Sequence, residues 1–141
     1  MFAKILNAND GSDNTFRALE IACDLAAKYA AELHMILVEE VPILPDTDLI
    51  DEIEQTKAGQ DKLVRGEIGR AQSIASRHKV TIRCHVFTGH VVRTVVDFAN
   101  DNAFELVVIG ATGNAAMYER MLGTRADRIA NLARRPVLIV R

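Results

Sequence analysis

The chain has 141 residues, of which 49% are apolar and 26% charged, and this suits one domain with a single core over residues 1–141. The formal net charge of −2 provides no field that would favour nucleic acid, and no apolar run approaches the ~18 residues of a membrane span. The N-terminus becomes polar too early for a signal peptide, so we expect a cytoplasmic protein in which Cys23 and Cys84 form no disulfide framework.

The first predicted strand covers residues 2–8, and polar residues lie at its end. Asn7 and Asn9 are unusual in a central strand because a buried amide must find partners, so they either meet a ligand or bond neighbouring loops. Asp10 closes the strand. It is either a ligand-binding carboxylate or only part of the helix start that follows, where aspartate is common.

A helix over 14–30, which Ser12 or Asp13 can cap, and a strand over 31–38 are predicted next from their apolar spacing. Residues 41–56 contain two prolines and five acidic residues, and they predict a surface loop, with or without a short helical turn, whose carboxylates form a solvated face rather than a metal site. Residues 57–78 have a helical pattern with three internal glycines, each of which costs about 1 kcal/mol relative to alanine.

The remaining predicted elements are a strand over 80–87, a helix from 92 up to 102, a strand over 106–109, a helix over 126–133 and a strand over Val137–Val140. Such alternation of strand and helix implies an α/β fold with a parallel sheet and helices on both faces. The four histidines are scattered, and we interpret them as core or surface residues. His90 lies at a helix start on the ligand-facing end of the sheet, without an evident role.

The segment 106–124 carries the strongest functional pattern. A buried-strand run ends on Gly110, Gly113 follows, and Gly123 with Thr124 opens the next helix. Glycines let a phosphate approach backbone N–H groups closely, and a helix N-terminus adds donors and a partial positive charge. We therefore predict a phosphate-holding loop over 110–124, which is not of the Walker type because the chain has no Gly-Lys-Ser/Thr.

Asp10 and Gly110 follow the first and the fourth predicted strands. If these strands are neighbours, their carboxyl ends flank the switch point of an open sheet, where ligands bind. Asp10 can then accept hydrogen bonds from a sugar or a base while the glycines hold phosphates. This is the arrangement expected for a nucleotide.

The chain resembles the universal stress protein family over its whole length. The family's nucleotide signature, Gly-x2-Gly-x9-Gly-[Ser/Thr], is filled by Gly110, Gly113, Gly123 and Thr124 without a gap. The opening segment 5–12 is similar to the family's first strand, which usually ends in Val-Asp-Gly-Ser, and the closing segment 135–140 is similar to its last strand. The spaced signature is the specific part of this resemblance.

The resemblance implies a Rossmann-like, adenine nucleotide alpha hydrolase-like fold with an open, mostly parallel five-stranded sheet in the order 3-2-1-4-5. It also implies that the protein binds ATP, or AMP, with Mg2+ or Mn2+ beside the phosphates, and acts as a stress-response or signalling module. Members dimerise, often by pairing the last strand, here Val137–Val140, and a further protein partner stays open. Efficient catalysis is not expected, since no base or arginine pair is positioned for the γ-phosphate, whereas slow hydrolysis or autophosphorylation stays open.

The residues that the resemblance assigns to the nucleotide run from the adenosine end to the phosphate end: Ala8, Asn9, Asp10, Val38, Ile109, Gly110, Gly113, Gly123, Thr124, Arg125 and Ala126. Asp10 would contact the adenosine part and Val38 the adenine. The residues from Gly113 onward would hold or adjoin the phosphates.

Two positions depart from the family pattern. Ala126 stands where members usually carry another hydroxyl, although Arg125 can supply charge instead, and Asn9 replaces the usual valine beside the adenine pocket. Two alternative functions stay open. One is an adenylyl-transferring enzyme with Arg120 and Arg125 as its basic residues, and the other is a dimeric interaction module with an empty pocket.

Overall fold

The computed structural model describes residues 1–40, 50–112 and 122–141, with the backbone alone for residues 50–57. In chain order its elements are β1 (Lys4–Asn9), α1 (Asp13–Tyr29), β2 (Glu32–Glu39), α2 (Ile50–Arg77), β3 (Ile82–Thr88), α3 (Val91–Asp101), β4 (Leu106–Gly110), α4 (Thr124–Leu132) and β5 (Val137–Val140). The predicted alternation of strands and helices is therefore confirmed.

The strands form one sheet in the order β3-β2-β1-β4-β5, and every neighbouring pair is parallel. This confirms the strand order that the family resemblance implied. In the centre of the sheet, Asn7 of β1 lies opposite Met35 of β2 and Val108 of β4. Along the chain, β2 and β3 are added on one side of β1, and β4 and β5 are then added on its other side. The switch point of the sheet therefore lies between β1 and β4.

Helices cover both faces of the sheet because neighbouring strand residues point to opposite sides. Ile5 packs in one apolar cluster with residues of α1 and α2, whereas the adjacent Leu6 packs in a second cluster with residues of α3 and α4. Burial on both faces explains why β4 consists of five buried residues in succession.

The predicted loop over 41–56 is wrong from residue 50 onward, because α2 begins at Ile50 rather than at Lys57. The rest of that predicted loop, residues 41–49, lies outside the described residues. The stretch 50–57 contains neither proline nor glycine, and acidic residues early in a helix suit its dipole. Carboxylates in such a stretch are compatible with a surface loop, and they also favour a helix start.

Three glycines lie within the 28 residues of α2, and the helix runs through all of them. A Cβ atom added at Gly59, Gly66 or Gly69 would meet no atom within 4 Å. None of the helices in the described part of the chain is long and apolar enough to cross a membrane.

Candidate functional site

A cavity of about 420 Å³ opens at the carboxyl ends of β1 and β4, beside the first turn of α4. All predicted site residues that the structure describes line it: Ala8, Asn9, Asp10, Val38, Ile109, Gly110, Gly123, Thr124, Arg125 and Ala126. The other predicted residue, Gly113, lies outside the described residues, as does Arg120. Four stretches of the sequence, 8–10, 38, 109–110 and 123–126, thus meet at the switch point of the sheet.

Seven residues besides the predicted nucleotide contacts also line the cavity, and two of them, Ala111 and Thr112, belong to the predicted phosphate-holding loop over 110–124. The full set is Thr15, Ile36, Val91, Val95, Ala111, Thr112 and Ile129. Val91 and Val95 belong to the apolar stripe of α3, and such a stripe predicts burial without telling whether it faces the core or a cavity. Thr112 lies between Gly110 and Gly113 of the signature in the sequence. That position could have predicted that it lines the cavity.

The lining of the cavity combines apolar side chains with polar groups. The apolar part includes Val38 of β2, Val95 of α3 and Ile129 of α4. The polar part combines Asp10 with the residues around Gly110 and Gly123. A ligand that has both an apolar ring and anionic groups matches this composition.

The amides at the end of β1 hold the polar part of the cavity in place. Asn7 donates from Nδ2 to the carbonyl oxygen of Val108 at 3.2 Å, which joins β1 to β4 through a side chain. Asn9 donates from Nδ2 to Oδ1 of Asn7 at 3.4 Å, and its own Oδ1 accepts from the backbone N–H of Gly11 at 2.8 Å. Both amides bond neighbouring segments, as one of the two alternatives predicted, and Asn9 also lines the cavity.

Asp10 takes part in the turn before α1 as well as in the cavity wall. Its Oδ1 accepts from the backbone N–H of Ser12 at 2.9 Å and lies 3.1 Å from the hydroxyl of Thr15. Ser12, rather than Asp13, is the N-cap of α1, and its side chain accepts from the Thr15 N–H. The two interpretations of Asp10 are therefore compatible, because the turn orients a carboxylate that faces the cavity.

Gly110 is glycine because Asn14 lies against it. A Cβ at Gly110 would collide with Oδ1 of Asn14 and would come within 3.3 Å of Cγ2 of Thr15. The same Oδ1 accepts from the backbone N–H of Thr112 at 3.0 Å, and Nδ2 of Asn14 donates to the carbonyl of Val140 at 3.3 Å. Asn14 thus ties the loop after β4 to the end of β5, a role that its position at a helix start did not indicate.

The first turn of α4 lines the polar part of the cavity. Gly123 is its N-cap residue, and its backbone N–H donates to the carbonyl of Ala111 at 2.7 Å, which fixes the helix start beside the end of β4. Within the described parts of the chain, no side chain caps this turn. Backbone donors and the positive end of the helix dipole therefore lie next to Thr124 and Arg125, where an anion would be stabilised.

Arg125 already has an anionic partner within the chain. Its Nη2 lies 3.0 Å from Oε1 of Glu40, the residue that directly follows β2. About half of each side chain is exposed, 52% for Arg125 and 57% for Glu40. The ion pair connects the β2 side of the cavity with the α4 side.

A negative region flanks the cavity beyond β1. The side chain of Glu67 on α2 lies against Gly11, whose φ of +85° is in the left-handed region that favours glycine. Burial raises the pKa of Glu67 above its ordinary value, and the charges of Asp10 and Glu39 raise it further. Three carboxyl groups therefore influence one another at this side of the cavity.

The histidines take no part in the cavity wall. His90 is the N-cap of α3, where its Nδ1 accepts from the backbone N–H of Arg93 at 3.4 Å, and this explains its position at a helix start. Nδ1 of His34 lies 2.8 Å from Nε2 of His85 on the neighbouring strand. Among the described residues, no group of three or more His, Cys, Asp or Glu side chains is arranged to hold a metal ion.

The chain matches the model of the universal stress protein family over residues 1–141. It is 29% identical over 147 residues to the universal stress protein MJ0531 of Methanocaldococcus jannaschii, and the match covers all of this chain and 83% of that protein. It is 28% identical over 149 residues to the universal stress protein YxiE of Bacillus subtilis, and that match covers 100% of both proteins.

Solved structures share the fold. The universal stress protein UspA from Lactobacillus plantarum has a TM-score of 0.89 at 19% identity, with 99% of this chain and 98% of that chain covered. A universal stress protein in complex with cAMP has a TM-score of 0.72 at 23% identity, with 99% and 97% covered. A universal stress protein from Archaeoglobus fulgidus in complex with dAMP has a TM-score of 0.64 at 21% identity, with 100% and 98% covered. The match of the family model to every residue of the chain shows that this protein belongs to the universal stress protein family.

Proposed function

We propose that the protein binds an adenine nucleotide, ATP or AMP, in the cavity between β1 and β4, and that it acts as a nucleotide-dependent module in a stress response or in signalling. The observation that carries this proposal is the composition of the cavity wall. It combines apolar side chains with Arg125 and with the start of α4, whose first turn no side chain caps among the described residues. Ring and phosphate groups need environments of these two kinds.

Two relatives of the same fold support the class of ligand. One is described as a complex with cAMP and the other as a complex with dAMP, so adenine nucleotides occupy proteins of this family. The extension to this chain rests on its own cavity, which has the polar and apolar groups that such a ligand needs.

In the proposed complex, adenine packs on the apolar side chains that include Val38 and Val95. Asp10 accepts hydrogen bonds from the adenosine part, beside the backbone of Ala8 and Asn9. The phosphates lie at the signature glycines and at the first turn of α4, where Thr124 and Arg125 add a hydroxyl and a charge. Ala126 adds no hydroxyl to this turn, where the family resemblance implies that members usually have one.

A divalent cation, Mg2+ or Mn2+, fits this site only if the phosphates supply most of its ligands. Asp10 is the one carboxylate among the described residues that line the cavity. One carboxylate together with phosphate oxygens and water is an ordinary set of ligands for Mg2+. We therefore propose that the cation arrives with the nucleotide and that Asp10 helps to hold it.

The proposed function includes slow hydrolysis of ATP at most. Fast phosphoryl transfer needs a positioned base and a cation on the transferred phosphoryl group. Arg125 is the one cation among the described residues that line the cavity, and no histidine lines it as a base. An adenylyl-transferring enzyme would meet the same obstacle.

We further propose a homodimer that pairs through β5. This strand is one edge of the sheet, and its residues Val137, Leu138 and Ile139 are only half-buried. An apolar strand at an edge needs cover, and a second copy of the same strand provides it. Sedimentation velocity at micromolar concentration tests this proposal, and a monomer would contradict it.

The nucleotide proposal is tested by filling the cavity. Val38→Trp places an indole in the apolar part of the cavity, whereas Val86→Trp makes the same change at a half-exposed position of β3 that does not line the cavity. We expect wild type and Val86→Trp to bind ATP or AMP in calorimetric titrations, with and without Mg2+, and Val38→Trp to lose at least tenfold in affinity, about 1.4 kcal/mol. Absence of heat with ATP, AMP and cAMP in the wild type would overturn the proposal.

A further inference from the structure

We propose that Glu40 is a specificity-determining residue of the cavity, because it competes with the ligand's phosphates for Arg125 and so weakens the binding of highly charged nucleotides. This inference rests on the proposed nucleotide binding and concerns the selectivity of the same site.

The arginine for which Glu40 and the ligand's phosphates compete lines the cavity. Arg125 is the only lysine or arginine among the described residues that line the cavity. Its Nη2 lies 3.0 Å from Oε1 of Glu40. Glu40 stands two residues after Val38, which lines the apolar part, whereas Arg125 belongs to the first turn of α4 in the polar part. The carboxylate therefore reaches the cation that would otherwise be available to an anion in the cavity.

A phosphate that uses Arg125 has two ways to do so. It can displace Glu40 and form the bidentate pair that a guanidinium makes with phosphate, or it can share the guanidinium with the carboxylate. Displacement loses the existing ion pair. Sharing holds two anions at one cation, and the repulsion between them increases with the charge of the phosphate group. In both cases Glu40 lowers the affinity of the cavity for a polyphosphate, whereas it does not change the affinity for an uncharged nucleoside.

Other carboxyl groups at this side of the cavity add to the preference for ligands with fewer negative charges. Asp10 lines the cavity, and Glu67, which lies against the adjacent Gly11, is within electrostatic reach of both Asp10 and Glu39. Arg125 is the one arginine in the described walls of the cavity, and it is already paired with Glu40. A ligand with fewer negative charges therefore meets less repulsion in this site.

The ion pair is well suited to be displaced. Both of its side chains are about half exposed, and exposed pairs contribute little to the stability of a fold. Losing the pair therefore costs the protein little, and Glu40 reduces the affinity for phosphate without abolishing it. Because solvent reaches both groups, the effect must also shrink at high salt.

The test compares Glu40→Gln with Glu39→Gln in the full chain. Glu39→Gln removes the same charge one residue away and leaves the Glu40–Arg125 pair intact, so it measures the general effect of charge. ATP, AMP and adenosine are titrated calorimetrically at low and at high salt. For Glu40→Gln we expect the affinity for ATP to rise about threefold to fivefold at low salt, as for the removal of an exposed ion pair. The rise is smaller for AMP and absent for adenosine.

Three outcomes would overturn the inference. An unchanged or lower affinity of Glu40→Gln for ATP, with ATP still bound by the wild type, removes this inference and leaves the nucleotide proposal intact. An equal gain in Glu39→Gln assigns the effect to overall charge instead of to competition for Arg125. If the wild type binds none of the nucleotides, the proposed function and this inference fall together.

Discussion

Asn14 and Thr112, which are 98 residues apart in the sequence, are joined by a hydrogen bond of 3.0 Å from the Thr112 backbone N–H to the Asn14 Oδ1. A residue in the first turn of α1 thereby sets the path of the loop that leaves β4. Since that loop forms part of the cavity wall, the geometry of the proposed phosphate end depends on α1 as well as on the glycines of the signature.

Asn14→Ala is predicted to lower both stability and ligand affinity. It removes the acceptor for Thr112 and the donor to the carbonyl of Val140, so we expect a loss of about 1–2 kcal/mol in the free energy of unfolding. Asn131→Ala is the matched control, because among the described residues the Asn131 side chain bonds only to Asp127, within its own helix. Urea unfolding and a titration with AMP measure the two effects. Equal losses in both variants would show that the link to Thr112 has no special role.

The same substitution, glycine to alanine, is predicted to have opposite effects at two positions. Gly110→Ala pushes a methyl group into Asn14 and is expected to lower the free energy of unfolding by about 1–3 kcal/mol. Gly66→Ala in α2 meets nothing within 4 Å, and it should raise stability by about 0.5–1 kcal/mol through its effect on helix propensity. Thermal unfolding of both variants checks the pair. A Gly110→Ala protein as stable as the wild type would contradict the close approach of Asn14 to Gly110.

Ala30 ends α1 in the left-handed region, with a φ of 52°, which an alanine adopts at a cost and a glycine adopts freely. We therefore expect Ala30→Gly to raise the free energy of unfolding by roughly 1 kcal/mol. Ala27→Gly, at an exposed position inside the same helix, should lower it by a similar amount. Urea unfolding of the two variants measures the rise and the fall in the free energy of unfolding. A loss of stability in both variants would refute the prediction.

Stability is predicted to fall in mild acid because of His34 and His85. Burial lowers the pKa of both side chains, and in His34 the neighbouring His85 lowers it further. Nε2 of His34 is buried and has no hydrogen-bond partner among the described residues, so a proton there would lack an acceptor. As the pH falls below about 6.5, the unfolded chain takes up protons before the folded one does, and the folded state loses stability until the pH passes below the folded pKa values.

Urea unfolding at pH 7.5 and pH 5.5 measures this dependence. His85→Gln keeps a polar side chain next to His34 and removes one of the two titrating groups. The variant should therefore lose less stability between the two pH values than the wild type does. An unchanged difference would assign the acid sensitivity to other groups.

Much of the fold could be predicted because its signals are local. The periods of apolar residues located each strand found in the described residues, and the alternation of strands and helices implied parallel pairing, although the predicted start of α2 was wrong. The acidic residues between 50 and 57 are compatible with a loop and with a helix start, and local composition does not separate the two. The spacing of Gly110, Gly123 and Thr124 is likewise a local signal, and it predicted a binding loop whose three residues line the cavity.

The sequence alone therefore determined the class of fold, the family and the part of the chain that carries the proposed ligand site. The tertiary structure decided which side chains face that site and which partners they have. Val95 has the spacing of a core residue and lines the cavity, Asn14 looks like a helix start and holds a distant loop, and Glu40 pairs with Arg125 across 85 residues. Periodicity and turn chemistry act between residues that are near in the sequence, whereas these pairings depend on how β1, β2, β4 and α4 lie side by side in the folded chain.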